Sequence, residues 1–472
     1  MVRRTVAVVG GGCSGVLVTR EILRRTDDDV VLIEPGVPGG GVAYGAARPW
    51  HLLNSRAGAM SADPDDATQF VRWAAAQGRP TGPDDFLPRR EYGRYLRAVL
   101  DEAVADHPGR FAHHRDHVTR VRPDDTGCTL KLGGGGTVRA DHVVLALGSP
   151  AGAHPTAVPP ALYGHPGYVG DPWRPGALAG VPDDAPVLLI GTGLTAVDVA
   201  LTLAASGRRA PLTAVSRRGR LPLAHTPASA PADVPPFLDA ARSDCDSLRD
   251  LIRRVRAHAG QASDWRAVVD GLRPYLDDLW SALRPDQQDS FLRHLARHWE
   301  CHRHRMAPSV AARIDDLRAD GTLRIRAGGV RWVGAAGEPS ARGAGDLLAD
   351  LGDGVPRRFA AVVNCAGPGR LPESAGPLVG GLLNDGTARV GPHGLGLDID
   401  GAGRVVGAAG TAHPRLWVVG ALRRGARWET TAVPEIRAQA HRLVADLADF
   451  ALRGPVAARW TVGATQSRLD AA

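Results

Sequence analysis

Two strand–glycine-turn–helix units, about 180 residues apart, and a long stretch of helical period inside the second predict an α/β chain. Its expected architecture is a pair of three-layer, doubly wound sheets with a helical insertion. The first unit opens on Val6-Ala7-Val8-Val9-Gly10-Gly11-Gly12-Cys13-Ser14-Gly15. The second opens on Val187-Leu188-Leu189-Ile190-Gly191-Thr192-Gly193-Leu194-Thr195-Ala196. Each has a short, wholly apolar run for a buried strand, then glycines, then a helical pattern that starts at once.

The glycines follow the G-x-G-x-x-G fingerprint of Rossmann-like dinucleotide-binding domains. In the first unit Gly10 permits the tight turn, Gly12 leaves room for a pyrophosphate and Gly15 lets helix and strand pack closely. Cys13 and Ser14 open the helix, whose unpaired N–H groups and positive dipole end suit phosphate. Val30–Ile33 reads as the next strand, and Glu34 ends it, where a carboxylate accepts from a ribose diol and repels a 2′-phosphate. This site is expected to take the adenosine of FAD or NAD. Residues 51–61 lack a regular period. Helices are expected near 66–77 and 90–106, and strands near 117–122, 127–132 and 137–140. A buried strand then runs to Gly148, and the Pro-rich passage 150–175 is the crossover.

In the second unit Gly191, Gly193 and Ala196 carry the fingerprint, with Leu194 and Thr195 at the helix start. Alanine is a tolerated third position. The next strand, Leu212–Val215, ends not on an acid but on Ser216-Arg217-Arg218-Gly219. Guanidinium forks match a 2′-phosphate, so this site is expected to prefer NADPH. Between about 226 and 318 this domain is interrupted by a helical insertion, marked by three apolar stripes: Leu248, Leu251, Ile252 and Val255; then Trp265, Val269, Leu272, Leu276, Trp280 and Leu283; then Phe291, Leu292, Leu295 and Trp299. Residues 336–357 read as a surface loop. Ala361–Gly367 repeats the strand-to-glycine pattern and is expected to return the chain to the first domain, as is a last buried strand ending at Gly420. A helix over 432–452 closes the fold. The expected division is an FAD-binding domain in two parts, 1–160 and 361–460, around an NADP(H)-binding domain at 161–360, with a loose tail at 461–472.

Composition narrows the function classes. The net charge is +7, yet Lys131 is the only lysine and the arginines are interspersed with acids, which argues against nucleic acid as a partner. No apolar run reaches membrane-spanning length and no signal-peptide core follows Met1-Val2-Arg3-Arg4, so a cytoplasmic protein is expected. The five cysteines, Cys13, Cys128, Cys245, Cys301 and Cys365, form no C-x-x-C, against a dithiol-reducing flavoenzyme of the usual type. His294, His298, His302 and His304 lack a recognised metal-ligand pattern, and no metal is expected.

The chain resembles bacterial FAD/NAD(P)-binding proteins related to class B flavin monooxygenases and microbial amine N-hydroxylases. The resemblance rests on Gly41-Val42-Ala43-Tyr44-Gly45 leading into His51-Leu52-Leu53-Asn54, on Phe86–Leu96, on Tyr168 with Asp171-Pro172-Trp173, and on Gly191–Asp198. Ser216–Gly219 with Leu221-Pro222 and His225, His302–Pro308, and Gly425 with Trp428–Arg437 complete it. It implies FAD at the first site and NADPH at the second, with Asn54 and Met60 near the flavin and Gly148, Gly367 and Gly420 at cofactor-facing turns. Many relatives place an Asp after the last strand; here Ala421-Leu422 stand instead. It further implies an NADPH-dependent monooxygenase acting through a C4a-hydroperoxyflavin on a small soft nucleophile, an amine or sulfur, with N-hydroxylation favoured and O2 as co-substrate. Arg303, Arg305, Trp428 and Glu429 are the candidates on the substrate side; no general base is assigned. A flavin oxidoreductase passing electrons to a quinone or protein partner, and a non-enzymatic flavin sensor or assembly protein, stay open at this stage, as does homo-oligomerisation.

Overall fold

The computed structural model describes residues 3–226, 247–337 and 346–453. Its first sheet has six strands in the spatial order Arg404–Val406, Ala412–Val418, His142–Leu145, Thr5–Val9, Asp29–Ile33, Phe111–His114. All pairs are parallel except the first. The central strand Thr5–Val9 is apolar along nearly its whole length because both of its faces are covered. Helices Cys13–Arg25, Arg89–Asp106 and Val433–Arg453 cover one face, with Val16, Leu17, Ile22, Leu96, Leu443 and Leu447 in a shared core. On the other face lie a three-stranded antiparallel sheet, Val118–Pro123, Cys128–Leu132 and Thr137–Ala140, and the helix Pro377–Asn384. The three layers are as expected, but one outer layer is mostly sheet where helices would complete a double winding.

The second sheet is wholly parallel: Leu323–Ala327, Leu212–Ser216, Val187–Ile190, Ala361–Asn364, Tyr168–Val169. Helices Leu194–Ala204 and Pro308–Ala319 pack on one face through Val197, Ala200, Ile314 and Leu317. An antiparallel sheet of Trp332–Ala335, Leu347–Asp350 and Pro356–Phe359 covers the other.

Two expectations change here. Ala361–Asn364 pairs with Val187–Ile190, so it completes the second sheet, and the return to the first comes after it. The stretch expected as a loop over 336–357 contains two strands, Leu347–Asp350 and the start of Pro356–Phe359, whose inward residues Leu347, Ala349 and Phe359 are buried; residues 338–345 lie outside the described residues.

The helical insertion is present between Leu212–Ser216 and Leu323–Ala327, its residues 227–246 lying outside the described ones. The stripe from Trp265 to Leu283 is not one helix: Trp265–Leu272 and Leu276–Ala282 are separated by a 3₁₀ turn at Arg273–Tyr275, where Pro274 cannot donate to a helical ladder. The insertion does not stand free. Trp280 Nε1 donates to Gly425 O at 2.7 Å, and the Trp428 and Glu429 amides donate to Asp277 Oδ1 at 2.9 and 3.1 Å. Trp280, Phe291 and Trp428 pack ring against ring, with centroids 4.8–6.1 Å apart. The insertion of the second unit thus grips the C-terminal part of the first.

Candidate dinucleotide and substrate sites

At the first fingerprint the three glycines do three different things. Gly10 adopts φ +101°, and a Cβ there would meet Ala146 O at 2.5 Å. A Cβ on Gly15 would fall 1.8 Å from Gly10 O, so only glycine lets the helix lie against the strand. Gly12 is the exception: its Cβ would come no nearer than 3.8 Å to any atom, and its φ of −69° is open to any residue. The folded chain therefore does not need glycine at position 12, whereas a phosphate approaching the backbone does. The helix Cys13–Arg25 starts on Gly12 with no side-chain cap, leaving its first amides for an anion. Glu34 turns its carboxylate to this end: Oε2 accepts from the Gly11 amide at 2.7 Å and Oε1 from the Gly36 amide at 2.9 Å. A cleft of about 190 Å³ lined by Gly36, Val37, Pro38, Leu100 and Phe111 lies beside the loop that follows. The residues present fit the pyrophosphate and ribose of a dinucleotide.

Around this cradle, Ser14 faces Gly420: a Cβ on Gly420, which has φ +85°, would meet Ser14 Oγ at 2.6 Å. The Gly420 amide donates to the buried Gln439 Oε1 at 2.9 Å, holding the last strand's end over the helix start without the aspartate of many relatives. Gly148, φ +74°, stands exposed three residues beyond the neighbouring strand His142–Leu145. Burial pushes the Cys13 thiol up to about 12, against the opposing influence of the neighbouring Tyr92 and Tyr44 hydroxyls. Met60 packs into the core with Leu53, Ala57 and Phe70. Asn54 is half-buried and accepts through its backbone carbonyl from His225 Nε2 at 3.1 Å, at the seam between the two units.

The second fingerprint repeats the geometry. Gly191 has φ +122° and would clash with Cys365 O at 2.4 Å; Gly193 starts the helix Leu194–Ala204 without a side-chain cap, and a Cβ on it would meet only the Arg297 guanidinium, at 3.5 Å. Leu194 and Thr195 form the first turn and Ala196 is buried against the strand. Gly367 follows the strand beside Gly191, so it stands next to the second fingerprint and not the first. Arg217 and Arg218 are exposed after the second strand and have no ion-pair partner among the described residues. These residues fit a second, more anionic dinucleotide.

The two sites are tied together by residues outside both fingerprints. Arg89 Nη1 binds the buried Asp198 at 2.6 Å, and its Nε donates to Leu52 O at 3.0 Å. His51 Nε2 lies 3.1 Å from Asp198 O and 2.9 Å from Thr202 Oγ1. Burial, followed by Arg89, holds the His51 imidazole below its ordinary value, against the pull of Asp198. The sequence marked these residues only through the resemblance; nothing in composition or period singles out a charge that will be buried by a distant helix. Arg297, on the insertion helix Ala296–Arg303, was missed altogether.

On the substrate side the structure separates the four candidates. Trp428 and Glu429 line a small cleft with Trp299, Glu300, His304 and Arg424, between the insertion and residues 424–431. Arg303 and Arg305 do not offer a free charge: Arg303 binds Glu429 at 2.8 Å with both side chains buried, and Arg305 holds Asp270 through two contacts of 2.5 and 2.7 Å. Named as substrate-side candidates, both form internal ion pairs, because the insertion buries them against carboxylates far away in sequence. The orphaned groups around the cleft are mainly donors: among the described residues, Trp299 Nε1, Arg303 Nε, Arg424 Nε and Thr430 Oγ1 have no hydrogen-bond partner. Burial, reinforced by Arg303, pushes the His304 imidazole down to about 3, so it is neutral at pH 7. Among the described residues no His, Cys, Asp and Glu cluster is placed to hold a metal, and no helix is long and apolar enough to cross a membrane.

Comparison with known proteins agrees with this geometry. The FAD-NAD(P)-binding family model matches residues 7–150. An uncharacterized protein of Mycobacterium tuberculosis is 25% identical over 411 residues, 77% of this chain and 73% of that one. The L-aspartate N-monooxygenase (nitrosuccinate-forming) of Streptomyces davaonensis is 28% identical over 269 residues, 46% of this chain and 41% of that one. The structure of the Kutzneria sp. 744 ornithine N-hydroxylase with reduced FAD, NADP+ and L-ornithine superimposes with a TM-score of 0.63 at 13% identity, covering 95% of this chain and all of that one. The resemblance read from the sequence holds at this level: residues 7–150 match an FAD-NAD(P)-binding model, and the chain shares the fold of the ornithine N-hydroxylase structure.

Proposed function

We propose that this chain is an NADPH-dependent FAD monooxygenase that oxygenates the nitrogen of a small amine. The observation that carries the reading is the pair of open glycine cradles with opposite charge at their strand ends, Glu34 at one and Arg217-Arg218 at the other. Likeness to an aspartate N-monooxygenase and to the fold of an ornithine N-hydroxylase favours an amine over a sulfur nucleophile.

FAD held at the first site would supply the oxygen-activating chemistry, with NADPH as its reductant. The residues of the chain bind, orient and shield. The Cys13–Arg25 helix start and Gly12 hold the flavin nucleotide's pyrophosphate, and Glu34 holds its ribose. The Leu194–Ala204 helix start holds the second pyrophosphate, and Arg217 and Arg218 the 2′-phosphate. Arg89, Asp198 and His51 fix one cradle against the other, which sets the approach of the two cofactors. Trp428 and Trp280 keep bulk water from the cleft, and neutral His304 adds no proton at pH 7.

The test is to mix FAD-loaded protein, NADPH and a panel of small amines, amino acids included, and follow oxygen uptake together with hydroxylated product. Product formed in proportion to NADPH consumed supports the reading. Flavin bleaching by NADPH with no oxygenated product across the panel, and electrons passing to an added quinone, would replace it with a reductase.

A further inference from the structure

The second site holds a cation that its fingerprint does not supply. Arg297 comes from the insertion, yet its guanidinium lies on the glycine turn: Nη2 donates to Thr192 O and to Arg220 O, each at 2.9 Å. We propose that Arg297 binds the pyrophosphate of the nicotinamide nucleotide, so that the insertion closes over the cofactor as a clamp. The proposal rests on the reading of this site as the one for NADPH.

Three observations carry it. Guanidinium presents its donors in a planar fork, and here both carbonyls use the same nitrogen. Among the described residues Nη1 makes no hydrogen bond; its ion-pair contact is Glu300 Oε2 at 3.8 Å, too long for one. Second, Nη1 is the atom that a Cβ on Gly193 would approach first, at 3.5 Å. The free edge of the fork thus faces the side of the turn where Gly193 lacks a side chain, and there the helix Leu194–Ala204 presents uncapped amides. A phosphate oxygen seated on those amides would lie between a helix start and a guanidinium. Third, Arg217 and Arg218, exposed and without an ion-pair partner among the described residues, follow the second strand, at the ribose end of a bound nucleotide. Arg297 would therefore read the phosphates that NADH and NADPH share, and Arg217-Arg218 the one that distinguishes them. The side chain is about one-third exposed, so a ligand can reach it.

The experiment titrates FAD-loaded wild-type protein, Arg297→Met and Arg297→Lys with NADP+, NAD+ and 2′-AMP, reading binding by calorimetry without turnover. Loss of a charge-assisted contact should raise the Kd for NADP+ and NAD+ alike by roughly ten- to hundredfold in Arg297→Met. Arg297→Lys should recover part of the loss, and 2′-AMP, which has no pyrophosphate, should bind all three proteins equally. Unchanged dinucleotide affinity in Arg297→Met, or a loss confined to NADP+, overturns the proposal alone. A flavin-loaded wild type that binds neither dinucleotide overturns the reading of the second site, and this proposal with it.

Discussion

Gly12→Ala separates folding from cofactor binding. The backbone at this position, φ −69° and ψ −166°, is open to alanine, and the added methyl would have no atom within 3.8 Å. Replacing glycine where the conformation is compatible stabilises a chain by about 0.4–1 kcal/mol, through the unfolded state. The cofactor-free variant should therefore melt at the wild-type temperature or slightly above it. FAD should fare differently. The methyl stands where the pyrophosphate must approach, and losing even one or two charge-assisted contacts to the helix start, each about 1.5–3 kcal/mol, weakens binding by roughly tenfold to ten-thousandfold. The assay is flavin stoichiometry from the 450-nm absorbance after desalting, together with thermal melts with and without added FAD. Gly15→Ala is the contrasting control: its methyl would lie 1.8 Å from Gly10 O, so it should lower the melting temperature of the cofactor-free protein as well. A Gly12→Ala protein that retains a full complement of flavin through desalting would show that the phosphates do not cross this glycine, and the cradle reasoning would fall.

Other outcomes follow from the same structure. Arg217→Ala combined with Arg218→Ala should raise the KM for NADPH by roughly tenfold or more while leaving that for NADH within about twofold; equal effects on both would remove the 2′-phosphate assignment. Glu429→Ala leaves Arg303 buried without its partner, a loss of about 3–5 kcal/mol, whereas Arg303→Met with Glu429→Leu should recover most of it in urea melts. Burial, aided by Arg4 and Arg415, pushes His142 down to about 4, so the unfolded chain takes up a proton there before the folded one as the pH falls below its ordinary value. Its contribution to stability is accordingly lost on acidification, by about 2 kcal/mol between pH 8 and pH 5, and His142→Leu should flatten that part of the pH profile.

The fingerprints were legible because their glycines answer to local steric demands: Gly10, Gly15 and Gly191 would clash with backbone carbonyls in any other form. The positions of Glu34 and Arg217-Arg218 were legible because each directly follows an apolar strand, and the structure puts Glu34 on the first glycine turn and leaves both arginines exposed. The placement of Ala361–Asn364 was not, since an apolar strand ending in glycine looks the same in either sheet and its partner, Val187–Ile190, is distant in sequence. Leu347–Asp350 hid in a Gly- and acid-rich stretch because a short strand with one buried face gives too brief an alternation. Arg303 and Arg305 misled because an arginine carries no sign of the carboxylate that will neutralise it. Arg297 hid among many arginines; only the return of its helix onto Thr192 and Arg220 distinguishes it.

The order of the first sheet bears on synthesis. His142–Leu145 emerges early, but its neighbour on one side, Ala412–Val418, is made only after the whole second unit. A nascent chain must carry an incomplete sheet with one bare, apolar edge while some 270 further residues are translated. Any product truncated before Ala412 would keep that edge, a ready template for pairing with another chain, and should accumulate as aggregate instead of as a working half.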